Sequence, residues 1–397
     1  ESLFNAELDT RDNLGLEFVR RISRSSPLAS SADVRTIQQI EWEAPPLVEP
    51  HRDRELERFV RQELGVFAPA LRYLSAVPWL VHSEVTLNTA RFVHLGFDLV
   101  ELAAVVVSRD NSCRLCYAAS RFLLRVTGVP DERIEKLEES LFNAELDTRD
   151  NLGLEFVRRI SRSSPLASSA DKKLLRDAGY GENEIKELAF AAVRNVSANR
   201  LMTLPAVPPD LPERLAKTRL LGLLRPYFRR LLHRFRTRTR GEAEDLPQSL
   251  RTGPFSYLVL ALDGLPIARS LREVIDLAWS SEILTRRAKA LAFAVVARGI
   301  GCPHSEREAF RLLEAEGLPA TRSAEILDHL GGPELDAVES AILPYVRETI
   351  WYQHPARVQR NGRKLRARLS EEQFLELVGV IAVANVVCRL GIVLEEP

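Results

Sequence analysis

From Glu55 almost to the end of the chain, apolar residues recur at helical spacing, and strand-like alternation is nearly absent. Gly and Pro gather between the periodic stretches, at Val77-Pro78 and in residues 128–131, 179–181 and 205–212. This pattern predicts an all-α fold of helices joined by short breaks. The 397 residues are enough for two domains of ordinary size. Lys plus Arg equals Asp plus Glu, so net charge gives no general pull toward nucleic acid or a membrane surface. No apolar run reads as a membrane span. Four cysteines do not make a disulfide scaffold; they fit a reducing cytoplasm, where a disulfide is catalytic rather than structural.

The chemistry concentrates in residues 101–124, ELAAVVVSRDNSCRLCYAASRFLL, which hold the one Cys-x-x-Cys of the chain, Cys113 and Cys116. An apolar run with a single acid near its start, Glu101, precedes the pair. YAASRFLL follows without Gly or Pro and reads as helix. Asp110, Asn111 and Ser112 are expected to break the first helix and cap the second. The two cysteines then share a face of the first helical turn, close enough for a short disulfide. A helix N-terminus favours the reactive thiolate, and on that ground Cys113 is the thiol of lower pKa. Three readings stay open: half a zinc site, two inert core cysteines, and a redox dithiol. Zinc needs two more ligands; Cys302 and Cys388 are far apart, and no His has finger spacing. His304 adjoins Cys302, but neighbours in a helical turn do not face one another.

Glu101, eleven residues, Cys113-x-x-Cys116 and a polar residue four positions on resemble the alkyl hydroperoxidase D-like group of the carboxymuconolactone decarboxylase family. Residues 125–140, RVTGVPDERIEKLEES, are similar to that family's connection into the next helix. Residues 172–201 are similar to its closing helices, with Asn199 and Arg200 where an Asn-Arg pair is common. The resemblance covers about residues 55–204. It implies a thiol-dependent peroxidase or disulfide oxidoreductase without cofactor or metal. In it Cys116 attacks peroxide, Cys113 resolves, and Glu101 moves the proton through water. It also implies a thiol or dithiol reductant protein as partner and assembly into homo-oligomers. The family usually has His four residues after the second Cys; here Ser120 stands there. A hydroxyl can pass a proton but is no base at neutral pH. His82 and His94 are candidates to take over that role, and Tyr117 reads as packing. The rival reading is a weakened member that serves as oligomeric scaffold or binding module. A cofactor-free reaction on a lactone is a third, from a branch that does not depend on a Cys pair.

Residues 1–33 recur unchanged at 139–171. Natural repeats diverge between copies, so the first copy reads as an extra segment, peripheral to the fold. Residues 34–54, with Pro45, Pro46 and Pro50, read as an extended arm, and 55–208 as the domain with the Cys pair. Residues 209–250 read as a basic linker helix. From Arg214 to Arg240 it carries ten Lys or Arg and no acid, with Leu224, Phe228 and Leu231 on one face. A face of this kind packs on protein as a linker or touches anionic lipid. Residues 251–397 read as a diverged second copy of the domain. Cys302 aligns with Cys113, Ser305 with Cys116, Ala290 with Glu101 and Ala309 with Ser120. Two tandem units related by a pseudo-twofold axis are expected.

Overall fold

A computed structural model describes residues 42–43, 45–129, 146–162, 167–209, 239–350 and 355–394, with 132, 134, 136 and 230 as isolated positions. Residues 1–33 and nearly all of 214–240 lie outside the described residues, and so do the readings made of them. Fifteen α-helices are named among the described residues; the β pairing among them consists of two isolated bridges, Phe92 with Arg240 and Glu244 with Gly264. The fold is all-α, as the periodicity predicts. The first half holds α1 (Arg54–Leu64), α2 (Pro78–Asn88), α3 (Phe97–Asp110), α4 (Arg114–Thr127), α5 (Thr148–Ser161), α6 (Ser169–Asp177) and α7 (Glu182–Thr203). The second holds α8 (Ser256–Ala261), α9 (Ile267–Ser280), α10 (Arg286–Ile300), α11 (Pro303–Ala315), α12 (Ala320–His329), α13 (Ala337–Thr349), α14 (Pro355–Arg366) and α15 (Glu371–Leu394).

Local chemistry sets the boundaries. Asp53, Asp147 and Asp336 begin α1, α5 and α13 by accepting backbone N–H groups on their side chains. Gly128 ends α4 at φ 103°, a left-handed conformation that a side chain would strain. The internal copy of the repeat supplies α5, whose Leu154, Phe156, Val157 and Ile160 are buried.

The core is organised on α7 and α15, which make the most extensive helix contact among the described residues. Around α7 lie α3, α5 and α4; around α15 lie α10, α9 and α8. By length and composition α15 would cross a membrane, contrary to the sequence reading, but 89% of its most apolar window is buried inside the protein. It is a core helix. The two halves also exchange polar contacts. Arg200 Nη2 donates to Ile350 O at 3.3 Å, and Arg389 Nη1 donates to Ile160 O at 2.7 Å and Arg162 O at 2.6 Å. Trp79 Nε1 donates to Glu376 Oε2 at 2.6 Å, beside the buried Lys289–Glu376 ion pair. The arm before α1 lies on the second half: Glu43 N donates to Gln359 Oε1 at 2.8 Å, and His51 meets Glu371 at 2.6 Å.

The aligned positions of the two halves share one offset, 302 − 113 = 189. The starts of five helices obey it: Pro78 and Ile267, Phe97 and Arg286, Arg114 and Pro303, Thr148 and Ala337, Glu182 and Glu371.

Candidate redox site at Cys113 and Cys116

Helices α3 and α4 pack together as a hairpin joined by residues 111–113. The turn uses Ser112 at φ 51°, and Cys113 N donates to Ser108 O at 3.0 Å. The cap of α4 is not the predicted one. Asp110 is bound to Arg158 and Arg162 of the α5 region, at 3.0 Å each, and Asn111 closes α3. Cys113 itself caps α4: its Sγ accepts from Cys116 N at 3.3 Å. A thiolate at that place would be held by the same amide and by the helix dipole.

Cys113 and Cys116 are joined as a disulfide, with Cα atoms 5.4 Å apart. Both cysteines are buried, Cys113 fully and Cys116 to 9% exposure. Cys116 Sγ lies 3.7 Å from Ala198 O of α7. Tyr117 packs with Val105, Leu124 and Ile134, a packing role as read from the sequence.

Glu101 is buried on α3 and faces α7, where Arg194 Nη2 lies 3.4 Å from its Oε1. Two turns on, Asn199 Nδ2 donates to Ser108 Oγ at 3.2 Å, so α3 and α7 run side by side in the same direction. Glu101 is nine residues before the end of α3, about 14 Å along the axis at the usual rise, and Cys116 is about 3 Å into α4. The two therefore stand about 10 Å apart along the hairpin, beyond direct contact. Ser120, one turn past Cys116, sits between their levels and is half-buried. His82 meets Phe59 in a tilted ring contact, centroids 4.4 Å apart, and His94 is exposed, its backbone N–H donating to Glu187. Neither is brought to the cysteines.

Three further residues build this region, and the sequence reading missed them. Arg194 is buried between the α3 carboxylate and the ring of Phe92, 5.5 Å from the ring centre. Glu84 of α2 is buried too; Asn88 Nδ2 donates to its Oε1 at 2.9 Å, and loss of solvation pushes its pKa up to about 7. Glu187 of α7 accepts the N–H groups of Val93, His94 and Leu95 at 2.7–2.9 Å, pinning the segment that leads into α3. The available signal was a lone charge inside an apolar helix: PWLVHSEVTLN for Glu84, and LAFAAVRNVSAN for Arg194.

At the aligned place in the second half, Cys302 caps α11 by position, with Sγ 3.1 Å from Ser305 Oγ, which meets Tyr257 Oη at 2.8 Å. His304 is exposed, its ring centroid 6.1 Å from that of Tyr257. No group of three metal-ligating side chains occurs among the described residues. A cavity of about 440 Å³ between α1, α2 and α9, lined by Phe59, Glu63, Thr86, Arg91 and Glu273 among others, has no lining residue from α3, α4 or α7.

The chain matches no family model, no curated protein and no solved structure. A functional reading therefore stands on the residues and their geometry.

Proposed function

We propose that the protein is a thiol-dependent peroxidase or disulfide oxidoreductase that works through Cys113 and Cys116. The observation that carries this reading is the Cys pair itself: one turn apart at a helix N-terminus, bonded to each other, with Cys113 fully buried and Cys116 slightly less so. In the reaction the Cys116 thiolate attacks the O–O bond of a peroxide. The near oxygen stays as sulfenic acid, and the far oxygen leaves as alkoxide and takes a proton. The Cys113 thiol displaces the sulfenic hydroxyl as water and closes the disulfide. A thiol or dithiol reductant protein reopens it by exchange. Glu101 is the distant acid of this scheme and Ser120 its weak link. The same reading takes the halves as tandem units about a pseudo-twofold axis. The shared offset and the reciprocal Arg200 and Arg389 contacts support it.

Pre-reduced protein treated with peroxide should lose two free thiols per chain, and Cys116→Ser should lose none to disulfide. Retention of both thiols in the unmodified protein would end the reading. A scaffold role is the second reading, favoured by Ala290, Ser305 and Ala309 at the second half's aligned positions and by Ser120 in the first.

A further inference from the structure

Each sulfur of the pair meets a backbone group, and the two groups differ in kind. Cys113 Sγ accepts from the N–H of Cys116 at 3.3 Å. Cys116 Sγ lies 3.7 Å from the carbonyl oxygen of Ala198. The N–H belongs to the first turn of α4, where the helix has no acceptor of its own for it. The carbonyl belongs to α7, and an oxygen already bonded within a helix keeps a second lone pair. Both are main-chain atoms held by helices, so both stay in place when the disulfide opens.

Opening the disulfide turns this difference into a sorting of charge. A donor beside a sulfur favours its thiolate; an acceptor beside it favours the thiol, whose S–H it takes. The positive end of α4 acts in the same direction, since Cys113 stands at the N-cap and Cys116 is inside the first turn. The charged groups of α3 and α7, which pack on α4, do not reverse the order. On α3, Asp110 is bound to Arg158 and Arg162, and Arg109 adjoins it. On α7, Arg200 donates to Ile350 O of the second half, and Arg194 lies at Glu101, whose level is about 10 Å from Cys116. On α4 itself, Arg114 adjoins Cys113, and Arg121 is more than a turn past Cys116.

We propose that the reduced pair carries its charge on Cys113 and its remaining proton on Cys116, and that Cys113 is the base that frees Cys116 for attack. This rests on the dithiol reading above and gives that reaction the base that Ser120 cannot supply. The two Cα atoms are 5.4 Å apart in one helical turn, so the opened sulfurs stay in contact. The Cys116 S–H turns from the Ala198 carbonyl to the Cys113 thiolate and gives up its proton there. Cys116, now the thiolate, gives an electron pair to the near oxygen of the peroxide, and the O–O bond breaks. The far oxygen leaves with the bond's electrons and takes a proton from solvent. Cys113, now a thiol, attacks the sulfenic sulfur, and its proton departs with the hydroxyl as water. The pair has lost two electrons and the peroxide has gained two. A dithiol reductant returns two electrons and two protons; one proton stays on Cys116 and one goes to solvent, which restores the start.

A thiolate absorbs in the ultraviolet where a thiol does not, and reading it needs no reagent to reach a buried sulfur. Proteins are reduced with dithiothreitol and freed of it. Cys116→Ser leaves Cys113 alone, and Cys113→Ser leaves Cys116 alone. The double serine variant is the blank, since it still carries Cys302 and Cys388. The thiol of Cys116→Ser should titrate at least about one unit below that of Cys113→Ser, a tenfold difference in acid constant. Coincident curves or the reverse order, from variants folded by circular dichroism, overturn the proposal. The reduced parent should show one thiolate well below the ordinary thiol value of about 8.5; none there overturns it as well. The base role is read in the first turnover with hydrogen peroxide. Cys113→Ser should be slower by at least about tenfold near pH 7, and the gap should close as pH passes the pKa of Cys116. A first turnover at the parent rate at every pH, the mark of a residue that only resolves, overturns that role. If the parent consumes no peroxide while the titration order holds, the charge assignment stands and the peroxidase reading alone falls.

Discussion

Ser120 is the weakest point of the proposed proton path. About 10 Å of helix separates the levels of Glu101 and Cys116, and a short hydroxyl stands on the way. An imidazole at 120 would reach further and would serve as acid and base, a change typically worth 10²–10⁴ in rate. Ser120→His is therefore expected to raise peroxide consumption at least about tenfold, or about 1.4 kcal/mol off the barrier. Turnover with a dithiol reductant measures it, and an unchanged rate would place the base elsewhere. Glu84 leads to a different expectation. Its pKa is 4.5 in an ordinary setting and about 7 in the fold. As pH rises from 4.5 to 7, the unfolded chain loses this proton first, so unfolding is favoured and stability falls across that window, then levels off. Glu84→Gln should remove that slope and leave the variant more stable above pH 7 by roughly 3 kcal/mol, read from urea midpoints at pH 4.5 and 8. Cys113, Cys116 and Glu101 were legible in the sequence because their spacing is local. Their partners were not: Arg194 meets Glu101 across 93 residues, and only folding places α7 beside α3.

The helices themselves were legible, since apolar spacing and the placement of Gly and Pro need no tertiary knowledge. Their ends were less so. Residues 110–112 offer three good capping side chains, yet the chain spends Asp110 on two arginines and caps α4 with a thiol. A tertiary ion pair outweighed a local preference there. Glu187 shows the same limit, an acid in mid-helix that serves a segment 92 to 94 residues away. Glu187→Ala would leave three N–H groups without their acceptor, of which that of Leu95 lies in a buried bond. At about 1–3 kcal/mol for a buried unpaired group, a loss of about 1–3 kcal/mol is expected in denaturant unfolding. A helical Gly gives a test of opposite sign from the usual rule. Gly379 lies in α15, where a Cβ would collide with the side chains of Leu80 and Trp79. Gly to Ala in a helix ordinarily stabilises by up to about 1 kcal/mol; here overpacking should destabilise by about 1–3 kcal/mol. A higher melting temperature for Gly379→Ala would contradict this packing.

Across the whole molecule, stability is shared between halves. α7 and α15 bury each other, and Arg389 closes the carbonyl end of α5 from the opposite half. A fragment ending at residue 208 would expose the α7 face that α15 covers. It is expected to associate or to lose cooperative unfolding, checked by sedimentation and by thermal scans at several concentrations. A monomer that melts sharply would show that the first half needs no cover. The shared offset has a use of its own. Each position of the site has a numbered counterpart in the same chain, so the molecule carries its own blank: Ala290, Cys302, Ser305 and Ala309 at the offset positions where the first half has Glu101, Cys113, Cys116 and Ser120. Writing the missing letters into it, Ser305→Cys first and Ala290→Glu second, would ask in one polypeptide, under one set of conditions, how many residues separate a scaffold from a reagent.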